Sequence, residues 1–289
     1  MSTLGNHLFV LAQYLVPQHL LSQLTGYVAR CRVRWFKNLL INGFIARYGV
    51  DMQAAREETA EGYQNFNAFF TRSLKTHLRQ ITALPLGIAS PADGTLGQFG
   101  SMDSDTLVQA KGHRYKLHEL LGGNAERARD FINGEYATIY LSPRDYHRVH
   151  MPLSGTLREM IYIPGKLFSV NNVTTGTVTR LFARNERVIC RFDTDQGPMA
   201  IVLVGAMIVS SIHTVWHGPV CPHTRQVQTF IYEETDGAAI RLNKGDELGH
   251  FRLGSTVIIL FGPNQMQWDE TITSGTTVKF GEPIGRSLM

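Results

Sequence analysis

Leu253-Gly254-Ser255-Thr256 stands at the mouth of an apolar Val-Ile-Ile-Leu run in the last part of the sequence. A hydroxyl beside an unhindered glycine carbonyl is a place where a chain can cut itself. Ser255, attacking the carbonyl of Gly254, can end as a pyruvoyl group, a ketone that the twenty side chains do not supply. A serine hydroxyl is a poor nucleophile near neutral pH, so it needs a base and a group that orients the base. Two other segments offer them. Ser90-Pro91-Ala92-Asp93-Gly94-Thr95 brackets an acid between Pro and Gly, which reads as a turn. Leu141-Ser142-Pro143-Arg144-Asp145-Tyr146-His147-Arg148-Val149-His150-Met151-Pro152 carries two histidines three apart. That spacing suits either metal ligation on a helical turn or two separate acid–base roles. Asp93 is either a turn-stabilising residue or a partner for a histidine. The order Asp, His, Ser is one of several in which catalytic triads occur.

The elements that must position these residues fall into two kinds. Residues 6 to about 50 read as three helices. In the first, Leu8, Leu11 and Leu15 share a face, and Pro17 interrupts. In the second, Leu20, Leu24 and Tyr27 face one way while Gln18, Ser22 and Thr25 face another. The third carries Trp35, Phe36, Leu39, Leu40, Phe44 and Ile45 with a basic cluster of Arg30, Arg32, Arg34 and Lys37. Such helices suit a membrane interface or an ordinary core-docked face. Ala54 to Lys75 reads as a loop and a further helix, and Thr82 to Gly87 as a boundary. Beyond it, Tyr136–Leu141, Val188–Phe192, Gln228–Tyr232 and Thr256–Phe261 read as strands, and Pro198–Ile212 as one or two buried strands. Short helices are expected around Leu117–Leu121 and Ala125–Phe131. The fold class is therefore α+β: N-terminal amphipathic helices over residues 1–84, then a mainly antiparallel β catalytic domain over 85–289.

With 289 residues, 43% of them hydrophobic, the chain can bury a substantial core. A net charge of +4 is too small an excess to demand nucleic acid, and the basic patch near the N-terminus suits either anionic lipid or RNA. Cys31, Cys190 and Cys221 are odd in number and widely spaced, so they form neither a metal motif nor a disulfide framework, and a reducing compartment is expected. No stretch reads as a classical transmembrane helix, and the N-terminus lacks the pattern of a signal peptide.

Taken in order, Pro-Ala-Asp-Gly at 91–94, Gln-Ala-Lys-Gly-His at 109–113, the 140–152 segment, Leu-Phe-Ser-Val-Asn at 167–171, Leu-Phe-Ala-Arg-Asn-Glu-Arg at 181–187, Val-Gly-Ala at 204–206 and Leu-Gly-Ser-Thr at 253–256 resemble the phosphatidylserine decarboxylase family. The resemblance spans nearly the whole chain and looks like the long bacterial and mitochondrial form. It implies a proenzyme in which Ser255 attacks the carbonyl carbon of Gly254, with His150 as base and Asp93 orienting that imidazole. The resulting ester eliminates across the Cα–Cβ bond of Ser255. The dehydroalanine left behind tautomerises to an imine, which water hydrolyses with loss of ammonia to the pyruvoyl cofactor, giving a β chain, 1–254, and an α chain, 255–289. The pyruvoyl ketone would form a Schiff base with phosphatidylserine and accept the electrons left by departing carbon dioxide. His147 is implied in proton transfer, and Ser169, Val170 and Asn171 in substrate contacts, with no metal. The same resemblance implies peripheral association with the cytoplasmic side of the cell membrane through the N-terminal helices, continued packing of the α and β chains, and room for a homodimer, without nucleic acid.

Two other readings compete. A zinc hydrolase would use His147, His150, His213 and His217, but it has no His-Glu-x-x-His and leaves Gly254-Ser255 idle. A non-catalytic membrane-binding module needs only the helices and a stable β domain.

Overall fold

The Val-Ile-Ile-Leu run becomes the middle of a sheet. In the computed structural model, which describes residues 3–207, 211–220, 226–232, 239–252 and 255–288, Ser255–Phe261 is a strand whose seven residues are all buried. It pairs antiparallel with Glu135–Leu141 on one side and Gly197–Gly205 on the other. Outward from these lie Gly94–Ser101 and Thr277–Val278 in one direction, and Arg187–Thr194, Gly155–Ile163 and Gln228–Ile231 in the other, all antiparallel.

Both faces of this sheet are covered, which explains why its central strand lacks hydrophobic–polar alternation. Val257, Ile259 and Phe261 join Ile139, Cys190 and Leu203 in one core. Ile258 and Leu260 join Ile189, Val202, Leu117 and Phe131 in the other. The strand 187–194 shows the consequence. Val188, Cys190 and Phe192 share a core as the alternation predicts, yet Arg187 is buried too. Its guanidinium donates to the carbonyls of Glu119, Leu120, Ala183 and Asn185 at 2.6 to 2.8 Å. Burial draws its pKa down to about 10, so it stays charged and is satisfied by backbone oxygens alone.

A four-stranded sheet, Gly218–Val220, Ser211–Thr214, Glu247–Arg252 and Arg148–His150, packs into the first core. A three-stranded sheet joins Gly87–Ala89, Pro283–Ser287 and Met266–Trp268. The short helices Leu117–Leu120 and Ala125–Arg129 lie where the sequence predicts them.

At the N-terminus, α1 (Thr3–Leu15), α2 (Gln18–Ala29) and α3 (Arg34–Tyr48) form, with Pro17 separating the first two. Gly49, at φ +66°, ends α3 in the left-handed conformation that glycine adopts without a Cβ penalty. The helices are amphipathic in an unusual sense. In α2 the inward face is Gln18, Ser22, Gly26 and Ala29, while Leu20, Leu24, Tyr27 and Val28 face out. Leu8, Leu11 and Leu15 of α1 also face out, as do Trp35 and Leu39 of α3. The apolar faces found by periodicity are thus mostly not core faces. Lys37 departs from the basic cluster: it is buried, and its ammonium donates to the Ala60 carbonyl at 2.8 Å and to Asn38 and Glu61. Behind α3, Ile41, Phe66, Phe69 and Phe70 build a separate aromatic core that ends against the main domain.

Candidate functional site

Ser255 opens the central strand, directly opposite Leu141 and Gly205. It is fully buried, and its hydroxyl has no hydrogen-bond partner among the described residues. A buried hydroxyl without a partner costs free energy, and the hydroxyls of Thr256, Ser142 and Thr138 share that condition. Gly254, the other half of the expected cleavage site, lies outside the described residues.

Leu141, opposite Ser255, leads into the turn that carries the histidines. Asp145 holds this turn by accepting the Ser142 N–H at 2.7 Å. The returning backbone is fixed where Phe251 donates to the His147 carbonyl at 3.1 Å, four residues before Ser255. His147 is fully buried against the Phe70 ring, with centroids 4.0 Å apart. Its Nδ1 lies 2.8 Å from the Asp145 carbonyl. A carbonyl only accepts, so Nδ1 carries the proton and Nε2 presents a lone pair. Nε2 has no partner among the described residues. Burial pulls the imidazole down from 6.5 to about 3, so His147 is neutral at physiological pH.

His150 ends the strand Arg148–His150. Its backbone N–H donates to the Pro91 carbonyl at 2.8 Å, which ties the Pro-Ala-Asp-Gly turn to the histidine segment. Gly94 in that turn is required by space: a Cβ there would sit 2.5 Å from the Tyr140 carbonyl oxygen. The His150 ring donates from Nδ1 to the Gly245 carbonyl at 2.8 Å, and its Nε2 lies 3.1 Å from the Tyr146 hydroxyl. Burial lowers its pKa as well, so it too favours the neutral form. Burial raises the Tyr146 phenol, which keeps its proton and donates it to Nε2.

Asp93 is buried in the same region but does not hydrogen-bond to His150. One carboxylate oxygen accepts the Phe280 backbone N–H at 2.8 Å and Arg79 Nε at 3.1 Å, and the other accepts the second arm of Arg79. This hydrogen bonding raises the Arg79 guanidinium above its ordinary value. The Phe280 ring lies flat on His150, 3.6 Å between centroids and 16° between planes. Asp93 therefore meets His150 through Phe280: it fixes the backbone of the residue whose ring covers the imidazole.

The expected substrate loop lies on the far side of the Ser255 strand. Asn171 caps the helix Asn172–Thr175 by accepting the Val173 and Thr174 N–H groups at 3.0 Å. The Ser169 hydroxyl is 2.6 Å from that of Thr174, and Val170 is buried. His213 and His217 do not join His147 and His150: His213 stacks on His250 and His217 packs on Phe230. Among the described residues no three His, Cys, Asp or Glu side chains gather as metal ligands.

Sequence reasoning did not single out Arg79, Tyr146, Gly245 or Phe280. Tyr146 lay between the chosen residues and was legible as a candidate. The other three reach the site only through tertiary contacts, and nothing in their local sequence marks them.

Comparison with known proteins finds relatives over almost the entire length. A family model described as phosphatidylserine decarboxylase matches residues 66–286, and another described as PSD matches residues 8–49. A phosphatidylserine decarboxylase proenzyme of Pseudomonas fluorescens (strain Pf0-1) is 56% identical over 280 residues, covering 97% of this chain and 98% of that protein. Those of Ectopseudomonas mendocina (strain ymp) and Pseudomonas aeruginosa (strain LESB58) are 55% and 56% identical, covering 98% and 96% of this chain and 99% and 96% of theirs.

Proposed function

This chain belongs to the phosphatidylserine decarboxylase family, and from that premise we propose that it converts phosphatidylserine to phosphatidylethanolamine and carbon dioxide after cutting itself before Ser255. The observation that carries this reading is the Ser255 hydroxyl, buried and unpartnered at the head of the central strand.

The first task is maturation. Ser255 Oγ attacks the Gly254 carbonyl carbon, and its proton passes to a neutral imidazole. His150 suits that task because Nδ1–H is held by Gly245, which leaves the lone pair on Nε2. The Tyr146 hydroxyl that occupies Nε2 must swing aside or relay the proton. Asp93 and Arg79 act by fixing Phe280, and so the plane of the His150 ring.

The buried hydroxyl of Ser255 and the free Nε2 of His147 fit a pyruvoyl centre with a proton acceptor in the same fold region. Bound in place, a pyruvoyl group supplies an electrophilic ketone for the substrate amine and a sink for the electron pair freed as carbon dioxide leaves. The chain's own residues must then manage the protons. Phosphatidylserine arrives as an ammonium, which has no lone pair for attack. His147 Nε2, neutral and unpartnered, accepts that proton and later returns it to the carbon that lost its carboxylate. The dry surroundings of His147 oppose the first of these transfers and favour the second, because burial disfavours the charged imidazolium.

Ser169, Val170 and Asn171 form the edge that the lipid head group and glycerol meet. In this reading residues 1–84 lie on the cytoplasmic surface of the cell membrane and 85–289 form the catalytic domain above it, which the outward apolar faces of α1, α2 and α3 support. Among the described residues no helix is long and apolar enough to cross a membrane. Lying in the interface spares the cost of withdrawing both acyl chains, about 0.8 kcal/mol for each CH₂.

Carbon dioxide release from phosphatidylserine vesicles tests the reading alongside denaturing electrophoresis. Wild type should yield two fragments and activity. His150→Ala and Asp93→Asn should accumulate the uncut chain. His147→Ala should be cut normally but decarboxylate at least about a hundredfold more slowly. Full activity of His147→Ala would remove it from proton transfer.

A further inference from the structure

Residues 167–170 form neither helix nor strand, yet their backbone is held from both sides by side-chain amides. Gln18 Oε1 accepts the Leu167 N–H at 2.7 Å, and Gln13 Oε1 accepts the Ser169 N–H at 2.9 Å. Between them, Asn185 Oδ1 accepts the Phe168 N–H at 3.1 Å. Asn185 Nδ2 donates to the Phe168 carbonyl and to the Gly205 carbonyl, each at 2.8 Å. Gly205 is the residue directly opposite Ser255. An unbroken path of hydrogen bonds thus runs from α1 and α2, through the loop, to the strand beside the nucleophile.

The two glutamines are buried although they lie on helices whose exposed faces are apolar. They straddle Pro17, and Gln18 Nε2 donates to the Gln13 carbonyl at 2.8 Å, so the bend between the helices is built around them. Tyr14 rests on the Phe168 ring with centroids 4.8 Å apart, and His19 lies 3.1 Å from the Gly165 carbonyl. A helix that turns its leucines outward and its amides inward is joined to lipid on one face and to backbone on the other.

We propose that Gln13 and Gln18 are positioning residues for the lipid substrate: from the membrane-facing helices they set the backbone of residues 167–169, which Asn185 ties to Gly205, the residue opposite Ser255. This rests on the reading that Ser169, Val170 and Asn171 meet phosphatidylserine. The two amides touch no reacting atom. They make seating of α1 and α2 on a phospholipid surface and the shape of the loop a single structural unit.

The test compares wild type with Gln13→Leu, Gln18→Leu and Gln13→Glu, using vesicles of phosphatidylserine in phosphatidylcholine. Both leucine variants should be cut into two chains to the wild-type extent. Their kcat/KM should fall about tenfold, carried by KM rather than kcat. Gln13→Glu keeps the acceptor oxygen, and the nitrogen it gives up has no partner in the structure, so it should recover most of the loss. Amide hydrogen exchange supplies a readout independent of activity and of variant folding. Leu167 and Ser169 amides should be protected in wild type, Leu167 losing protection in Gln18→Leu and Ser169 in Gln13→Leu. Wild-type KM in both leucine variants, or free exchange at both amides in wild type, would overturn the proposal. Wild type that releases no carbon dioxide would instead sink the proposed function, with the exchange data still deciding whether the glutamines hold the loop.

Discussion

Two histidines three residues apart each have Nδ1 on a backbone carbonyl and differ at Nε2, the difference on which the proposed roles rest. His150 has both ring nitrogens engaged, by Gly245 and Tyr146, whereas His147 has one engaged and one empty. The empty nitrogen offers a free lone pair, while burial opposes its protonation. The same burial makes acid sensitivity predictable. The unfolded chain binds a proton at a histidine below its ordinary pKa of 6.5, while folded His147 resists until about pH 3. Stability is therefore full above 6.5 and falls as pH drops from 6.5 toward 3. His147→Leu should flatten that fall by up to one proton, read from urea midpoints across the window. An unchanged slope would mean that His147 titrates normally. Ser255→Ala gives a second residue-scale expectation. It removes a buried hydroxyl that has no partner, so the uncut variant should equal or exceed an uncut reference such as His150→Ala in stability, by about 1 kcal/mol. A clear loss by thermal or urea unfolding would show that the hydroxyl is satisfied after all.

The elements show what patterning can and cannot tell. The 3.6-residue period located α1, α2 and α3 with their apolar and polar faces, but not which face is buried. Period reports that two faces differ; it does not report which one meets protein. Gln18 points inward where loop 165–169 offers it a backbone partner, a tertiary fact absent from the helix itself, and Ser22 is buried on the same face. The strands were clearer. A five-residue apolar run, Val257 to Phe261, inside a strand buried along its whole length has room only in the middle of a sheet covered on both sides. The Asp93, His147, His150 and Ser255 segments were legible as candidates only together, through the resemblance they carry in order, since Pro-Ala-Asp-Gly alone reads as an ordinary turn. Phe280 and Arg79 were not, since each reaches the site from a distant segment. Two element-scale expectations follow. Leu20→Asp with Leu24→Asp should lower partitioning onto anionic vesicles at least about tenfold, without lowering the melting temperature, since both side chains are exposed. Equal vesicle binding in a flotation assay would move the membrane contact elsewhere. Arg79→Met should slow self-cutting about tenfold or more by freeing Asp93 and Phe280. A normal rate of fragment appearance would make the Arg79–Asp93 pair purely structural.

At the scale of the whole molecule, the segment after the expected cut is not an appendage. Residues 255–288 supply the central strand of the large sheet, the Thr277–Val278 edge and two strands of the three-stranded sheet. They also supply Phe280, which covers His150. Cutting before Ser255 thus releases a chain end at the site without releasing the chain, and the two products should co-elute in native gel filtration and part only in denaturant. Dissociation under native conditions would contradict the packing of that strand. The most direct test of the central claim is the intact mass of the purified, active protein. Two masses are expected, corresponding to 1–254 and 255–289, the smaller carrying a ketone in place of an amino terminus and so refusing N-terminal sequencing. A single uncut mass from a preparation that releases carbon dioxide from phosphatidylserine would contradict the account.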